Sequence, residues 1–309
     1  MQVLGLDLGG TNIKWAVLDS GGGVDGAPRP LGYGSLPTGA EDGPEAVAER
    51  LLEAGRRAIG IHGDADGIGV GVPGLFDRAT GAIELFPNLQ GAWPGFPLRA
   101  RLEGQFGRPV AIINDARAFT LAEGTLGAGR GCRTLVCITL GTGVGGGVLI
   151  DGRLHLGANG RAGEIGHQVV VEDGPPCGCG NRGCVEPLAW AETLARLAGR
   201  GTAAEVYAGA ADGDERCCAA ISEVARYLGL GLANVTTVLV PDRIVVGGGI
   251  SAAGELLLEP LRAAVRARAP LVEPDRIDIV AASLGSEAGA IGAALAALAA
   301  LEETSAAAR

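Results

Sequence analysis

No basic stretch followed by an apolar run opens the sequence. Met1 and Gln2 lead straight into Val3–Leu8, so a secretory signal is not expected. Long apolar runs are lacking too. The most apolar tail segment, Ala288 to Leu301, is mostly Ala and Gly and is shorter than the roughly 20 residues of a membrane span, so no membrane partner is expected. Positive charge is scarce: 25 Lys and Arg face 35 Asp and Glu, a formal net charge of −10. A chain of that sign repels DNA and RNA phosphates, which argues against bulk nucleic-acid binding. The Gly-X-Y period of collagen is missing despite 54 glycines. The phosphate motif GxxxxGK[ST] is missing as well. Glycine pairs such as Gly143 and Gly145 lie between two apparent strands, not before a helix, which weakens a dinucleotide-fold reading.

What is present fits a globular α/β protein. The 309 residues are enough for two domains, with 47% hydrophobic and 19% charged residues. Strands are expected at 3–8, 13–18, 67–72, 110–113, 135–140, 148–150, 243–246 and 277–281. Helices are expected near 44–60, 116–123, 187–199, 214–235 and 254–268, and over the Ala-rich tail, with Ser286 as its N-cap. Residues 6–19 (LDLGGTNIKWAVLD) align without gaps on 138–151 (ITLGTGVGGGVLID), each a strand, a glycine turn and a returning strand. The pattern reads as an internal duplication. The domains are expected at 1–117, joined by the last helix from about 287 to 309, and at 118–286.

The glycine clusters carry the first chemistry. Gly-Gly-Thr and Gly-Thr-Gly turns leave uncrowded backbone N–H groups, and such nests bind phosphate oxygens. Thr11 and Thr142 add hydroxyl donors. Asp7, just before the first turn, can hold Mg²⁺ through water, and Lys14 can add positive charge. Gly247–Gly249, after a strand, would let adenine or ribose lie against bare backbone.

A second chemistry sits in one loop. There are seven cysteines, an odd count, and Cys177, Cys179 and Cys184 fall within eight residues. That usage fits metal chemistry in a reducing compartment better than a disulfide framework. With His167 they give H-x9-C-x-C-x4-C, a closed three-thiolate, one-imidazole set suited to structural Zn²⁺. Cys132, Cys137, Cys217 and Cys218 read as interior residues. Asn114-Asp115 ends a buried strand and opens a helix. There a carboxylate can take the proton of an attacking hydroxyl, or merely cap the helix. Glu164, His167 and Glu186 flank the cysteine loop and suit neutral sugar hydroxyls.

These motifs together resemble the ROK family (repressors, open reading frames and kinases). Leu6-Asp7-Leu8-Gly9-Gly10-Thr11 is similar to its first phosphate motif, and Leu140-Gly141-Thr142-Gly143-Val144-Gly145-Gly146-Gly147 to the second. Val246-Gly247-Gly248-Gly249-Ile250-Ser251 is similar to the adenosine-side motif. Glu164-Ile165-Gly166-His167 with Cys177-Gly178-Cys179-Gly180-Asn181-Arg182-Gly183-Cys184-Val185-Glu186 resembles the family signature. The likeness runs from about residue 3 to residue 300. It implies a two-domain actin-like ATPase (ribonuclease H-like) α/β fold with an interdomain cleft. It implies a cytoplasmic ATP-dependent hexokinase of the glucokinase type that phosphorylates the 6-hydroxyl of D-glucose, working with Mg²⁺ and structural Zn²⁺ as a homo-oligomer, dimer or tetramer.

Site residues follow from the same resemblance. Asp115 is the implied base. Gly74, Asn88, Asn114, Glu164, His167 and Glu186 join it around the sugar. Asp7, Gly9, Gly10, Thr11, Asn12, Lys14, Gly141, Thr142, Gly143, Val144, Gly248 and Gly249 hold the nucleotide, and His167, Cys177, Cys179 and Cys184 the metal. Trp190 departs from the pattern, where a small residue is expected. Alternatives are a kinase for mannose, fructose, allose, N-acetylmannosamine or N-acetylglucosamine, polyphosphate as donor, and a non-catalytic sugar sensor. The family's repressors carry an added N-terminal DNA-reading domain, for which a first strand at Val3 leaves no room.

Overall fold

The computed structural model describes residues 1–23, 26–87, 89–249 and 253–307. In chain order these form β1 (Gln2–Leu8), β2 (Asn12–Asp19), β3 (Arg29–Pro37), α1 (Gly43–His62), β4 (Gly67–Val72), β5 (Leu75–Phe76), β6 (Ile83–Leu85), α2 (Leu98–Phe106), β7 (Val110–Asn114) and α3 (Asp115–Thr125). There follow β8 (Leu135–Leu140), β9 (Val144–Ile150), β10 (Arg153–Leu154), α4 (Val185–Ala189), α5 (Ala191–Ala198), α6 (Ala203–Ala211), α7 (Glu215–Leu239), β11 (Arg243–Gly247), α8 (Glu255–Arg266), β12 (Ile279–Ala281) and α9 (Ala288–Ala307). The chain divides into two compact units, Met1–Leu126 with Ser286–Arg309, and Gly127–Gly285. The expected division after residue 117 would cut α3, whose hydrogen-bonded turns run on to Thr125 and keep it whole in the first unit.

Each unit is built on one five-stranded sheet, in the orders β3-β2-β1-β4-β7 and β10-β9-β8-β11-β12. In both, a hairpin supplies antiparallel neighbours on one side of a central strand and parallel strands follow on the other. The duplication read from two short segments therefore extends to whole sheets. The hairpins differ by one residue. Leu8 faces Ile13 across the first turn, whereas Leu140 faces Val144 across the second, so the gapless alignment slips after the turn. Gly145–Gly147, expected in the turn, lie inside β9.

Local signals explain most element ends. Pro near the start of α1 suits a position with no intrahelical acceptor, and Gly63 closes the helix by donating to Ile59 O. Asp214 caps α7 by accepting from Cys217 N at 3.0 Å. Ser286, expected to cap α9, instead lies in a 3-10 turn that precedes it, with its Oγ donating to Glu287. Of the four cysteines read as interior, Cys137 and Cys217 are buried and Cys132 is half-buried, but Cys218 is exposed.

Helix α9 fixes the first unit. Its Ala and Gly residues are apolar on every side, as suits a helix enclosed by protein, and it packs on β1, β4 and α3. The helical run Gly285–Ala307 is 23 residues long, enough by length and composition to cross a membrane and longer than the segment picked from sequence. Here its small residues admit a close approach to glycines of the sheet and to α3. A Cβ on Gly5 would fall 1.9 Å from Ala290 O, one on Gly69 1.7 Å from Ala293 O, and one on Gly292 1.7 Å from Ala118 O. On the opposite face Val47, Leu51 and Leu52 of α1 join Leu4, Leu6, Val17 and Val70 in the core.

Gly69→Ala is therefore expected to force α9 off the sheet and to cost about 1–3 kcal/mol or more in urea unfolding. Gly60→Ala, on α1 with open space around it, is expected to stabilise by about 0.5–1 kcal/mol. Equal stabilities for the two variants would contradict this packing.

Candidate active site and metal centre

In the first unit the functional side chains gather where parallel strands end. Asp7 lies on β1 in register with Gly71 of β4, and Val72 of β4 is in register with Asn114 of β7. Ligands of α/β sheets bind outside such carboxyl ends. Asn114, not Asp115, is the N-cap of α3. Its Oδ1 accepts from Ala116 N at 3.1 Å, Arg117 N at 3.3 Å and the Arg117 guanidinium at 2.8 Å. With three donors on the oxygen, the amide nitrogen turns to Gly74 O at 3.3 Å. Gly74 is required to be glycine, with φ +88° and a Cβ position 2.2 Å from Leu85 O. Asp115 thus stands at the first helical position, solvent-exposed, its Oδ1 accepting from Ala116 N at 2.8 Å. Asn88 lies outside the described residues.

Asp7 has an unusual electrostatic position. Burial, then the Asp115 carboxylate, push its carboxyl up to about 7. Lys14 opposes the shift, and Glu287 adds to it. The Asp7 carboxylate rests on the first turn of α9, where a Cβ on Gly289 would come within 2.4 Å of Oδ2. Lys14, opposite Asp7 in the hairpin, donates from Nζ to Ser286 O at 2.7 Å. Its amine is thus engaged within the first unit. The turn beside it is closed by Gly9 N to Asn12 O at 3.0 Å, while Gly10, Thr11 and Asn12 are exposed. The buried Thr38 braces this turn, donating from Oγ1 to Gly9 O at 2.7 Å and from its backbone N to Thr11 O at 2.9 Å. Neither Thr38 nor Arg117 is marked by a sequence motif: Thr38 acts on a turn that only the fold brings near, and Arg117 acts through the cap geometry of Asn114.

In the second unit the glycine turn, the third glycine cluster and the cysteine loop come together. Gly141 N donates to Gly143 O at 3.0 Å, closing the turn around Thr142. Gly248, at φ +86°, packs on the end of β8, with a Cβ position 2.3 Å from Leu140 O, and Gly249 faces open space. Ile250 and Ser251 lie outside the described residues. Val144 N donates to Glu186 Oε2 at 3.0 Å, and Gly141 O accepts from Ala191 N at 2.9 Å. The Trp190 indole, which departs from the expected small residue, donates to Thr193 Oγ1 at 3.0 Å.

His167, Cys177, Cys179 and Cys184 place one ligand atom each within 4.8 Å of all the others. Cys179 and Cys184 sulfurs are 3.8 Å apart, and Cys177 Sγ is 3.4 Å from His167 Nδ1. Ligand atoms around tetrahedral zinc, at about 2.3 Å for sulfur and about 2.0–2.1 Å for nitrogen, stand roughly 3.5–3.8 Å from one another, so the set fits. Its chemistry fits as well. Burial pushes the Cys177 thiol up to about 12 and raises Cys184, whereas a backbone hydrogen bond from Asn181 lowers Cys179. Buried thiols of this kind become thiolates when a cation draws off their protons. Glycines shape the loop: Gly183, at φ +70°, has a Cβ position 1.7 Å from Val171 O. With Nδ1 of His167 toward the sulfurs, Nε2 faces Glu164 Oε2 at 3.9 Å.

The chain is similar to known proteins along nearly its whole length. A family profile described as the ROK family matches residues 3–300. The glucokinase of Halalkalibacterium halodurans is 37% identical, over 94% of this chain and 92% of that protein. The crystal structure of a ROK hexokinase from Thermus thermophilus has a TM-score of 0.87 at 39% identity, covering 98% of this chain and 100% of that one. A ROK family glucokinase from Streptomyces griseus, in complex with glucose and AMPPNP, has a TM-score of 0.81 at 32% identity, covering 97% of this chain and 100% of that one. The fold is that of the two-domain actin-like ATPases.

The Asp7 environment has a measurable consequence. Folded Asp7 holds its proton up to about 7, against 3.8 for an ordinary carboxyl. Its contribution to stability is therefore fullest at acid pH and is lost as pH rises through the folded value. Asp7→Asn is neutral throughout. In urea unfolding it is expected to gain on the wild type between about pH 4 and about pH 7, by on the order of a few kcal/mol at most, and to hold that gain above. A stability difference independent of pH would contradict the assignment.

Proposed function

We propose that this chain, which belongs to the ROK family, is an ATP-dependent glucokinase that transfers the γ-phosphoryl group of ATP to the 6-hydroxyl of D-glucose. The observation that carries the reading is the pairing of glucokinase relatives along nearly the whole chain with an exposed Asp115 at the carboxyl ends of the parallel strands. Asp115 acts as the base. It accepts the proton of O6 as that oxygen attacks phosphorus, and the bond from the γ-phosphorus to its bridging oxygen breaks to leave ADP. Asn114 is held in one orientation by its cap bonds, which sets the backbone from which Asp115 projects.

Glu164, His167 and Glu186 hold sugar hydroxyls, together with Asn114, Gly74 and Asn88. Gly9–Asn12 and Lys14 of the first turn, and Gly141–Val144 of the second, take the phosphates through backbone N–H groups and hydroxyls. Gly248 and Gly249 leave room for the adenosine. Asp7 is the residue for Mg²⁺, which supplies charge neutralisation for the transferring group when bound. Two neighbouring carboxylates with one engaged lysine suit such a cation. His167, Cys177, Cys179 and Cys184 hold structural zinc, which pins the imidazole so that its other nitrogen can meet the sugar. The enzyme works in the cytoplasm as a homo-oligomer, dimer or tetramer, and takes neither nucleic acid nor membrane as a partner. The net charge of −10 favours the former exclusion.

A coupled ADP-release assay over a hexose panel, with ATP, GTP and polyphosphate as donors, tests the substrate assignment. In it Asp115→Asn is expected to lose ~10²–10⁴-fold in kcat with little change in KM for glucose. Near-normal turnover by the variant would remove Asp115 from the chemistry.

A further inference from the structure

The Glu186 carboxylate is the point at which two functional elements of the second unit meet. Oε2 accepts from Val144 N at 3.0 Å, at the end of the turn that follows β8. Oε1 faces the metal-ligand cluster, 3.6 Å from Cys177 Sγ and 4.0 Å from His167 Nδ1. The side chain is only 17% exposed, so water competes weakly for these contacts. Space around the turn is shaped to this carboxylate: a Cβ on Gly143 would lie 2.7 Å from Oε2. The same segment grips the turn's other end, because Ala191 N donates to Gly141 O at 2.9 Å and Trp190 N donates to Glu186 O at 2.9 Å. Cys184, a cluster residue, is the N-cap of α4, and Glu186 sits in its first turn.

We propose that Glu186 is a positioning residue that ties the glycine turn Gly141–Val144 to the Cys/His cluster, so that metal occupancy sets the geometry of the turn. The tie does not depend on the thiol proton of Cys177. When a metal displaces that proton, Cys184 is still fixed two residues before Glu186, and the start of α4 is fixed with it. The backbone N–H of Val144 then keeps a charged acceptor and the turn is held at both ends. Without metal, the loop and the start of α4 gain freedom, and the Val144 amide loses its partner for part of the time. The link itself is independent of the kinase reading. Its effect on nucleotide affinity rests on that reading.

Amide hydrogen exchange of the whole protein tests the link at Val144, with the amides of Leu135–Leu140 reporting that the sheet remains folded. Glu186→Ala is expected to speed exchange at Val144 about tenfold or more, the worth of one hydrogen bond to a charged acceptor. Stripping zinc from the wild type with a chelator should do the same, and adding zinc back should reverse it. Glu186→Gln keeps an acceptor oxygen and should restore much of the protection. Unchanged exchange at Val144 in Glu186→Ala, or in chelated protein with the sheet amides still protected, would overturn the proposal. ADP affinity measured by calorimetry on the same samples is expected to weaken several-fold wherever Val144 is deprotected. Deprotection with unaltered ADP affinity would uphold the link and remove the nucleotide role of the turn, which separates the two failures.

Discussion

The burial of one carboxylate beside another is the constraint on which the first unit's electrostatics depend. Asp7 is withdrawn from water at the end of β1, and the Asp115 charge lies near enough to oppose its ionisation further. Burial first, and the neighbouring Asp115 charge second, favour the protonated form and push the Asp7 carboxyl up to about 7. The arrangement costs stability in the free protein. A cation beside Asp7 would favour the ionised form that burial and Asp115 oppose. Lys14 sits opposite Asp7 but is engaged with Ser286 O, so it moderates the repulsion without removing it.

Glycine is the shared means by which both units make room for this. Gly71 and Gly289 leave space for the Asp7 carboxylate, Gly143 leaves space for Glu186, and Gly248 lets backbone rest on the end of β8. In each case the missing Cβ is replaced by a polar atom, not by solvent alone. The two sheets share one order, and each carries a hairpin turn beside its central strand. They differ in what holds that turn. Thr38, just after the edge strand, braces the first, while Glu186 and Ala191 from helices beyond the cysteine loop brace the second. A duplicated scaffold has thus acquired unlike supports, and the second turn's support adjoins the Cys/His cluster.

Much of this was legible in the residues. The buried strands at 3–8, 67–72 and 135–140 announced themselves by apolar runs closed by glycine, and the cysteine loop by spacing alone. Other elements were silent. β3 (Arg29–Pro37) carries Gly and Pro and has few buried side chains, as an edge strand can, so no alternation marked it. α2 and α6 were passed over for want of a clear apolar stripe. From sequence Asp115 itself could cap the helix, and only the three donors that converge on Asn114 Oδ1 give that role to Asn114. The engagement of Lys14 with Ser286, 272 residues away in sequence, could not be read from local pattern.

The central claim is that one phosphoryl group passes from ATP to the primary alcohol of glucose. Phosphorus and carbon NMR of the protein incubated with ATP, Mg²⁺ and isotopically labelled glucose tests it most directly. The account predicts ADP and glucose 6-phosphate in equal amounts, with little ADP when glucose is withheld. ADP formed with free phosphate and unmodified glucose, or a phosphoryl group found on any other hydroxyl, would contradict it.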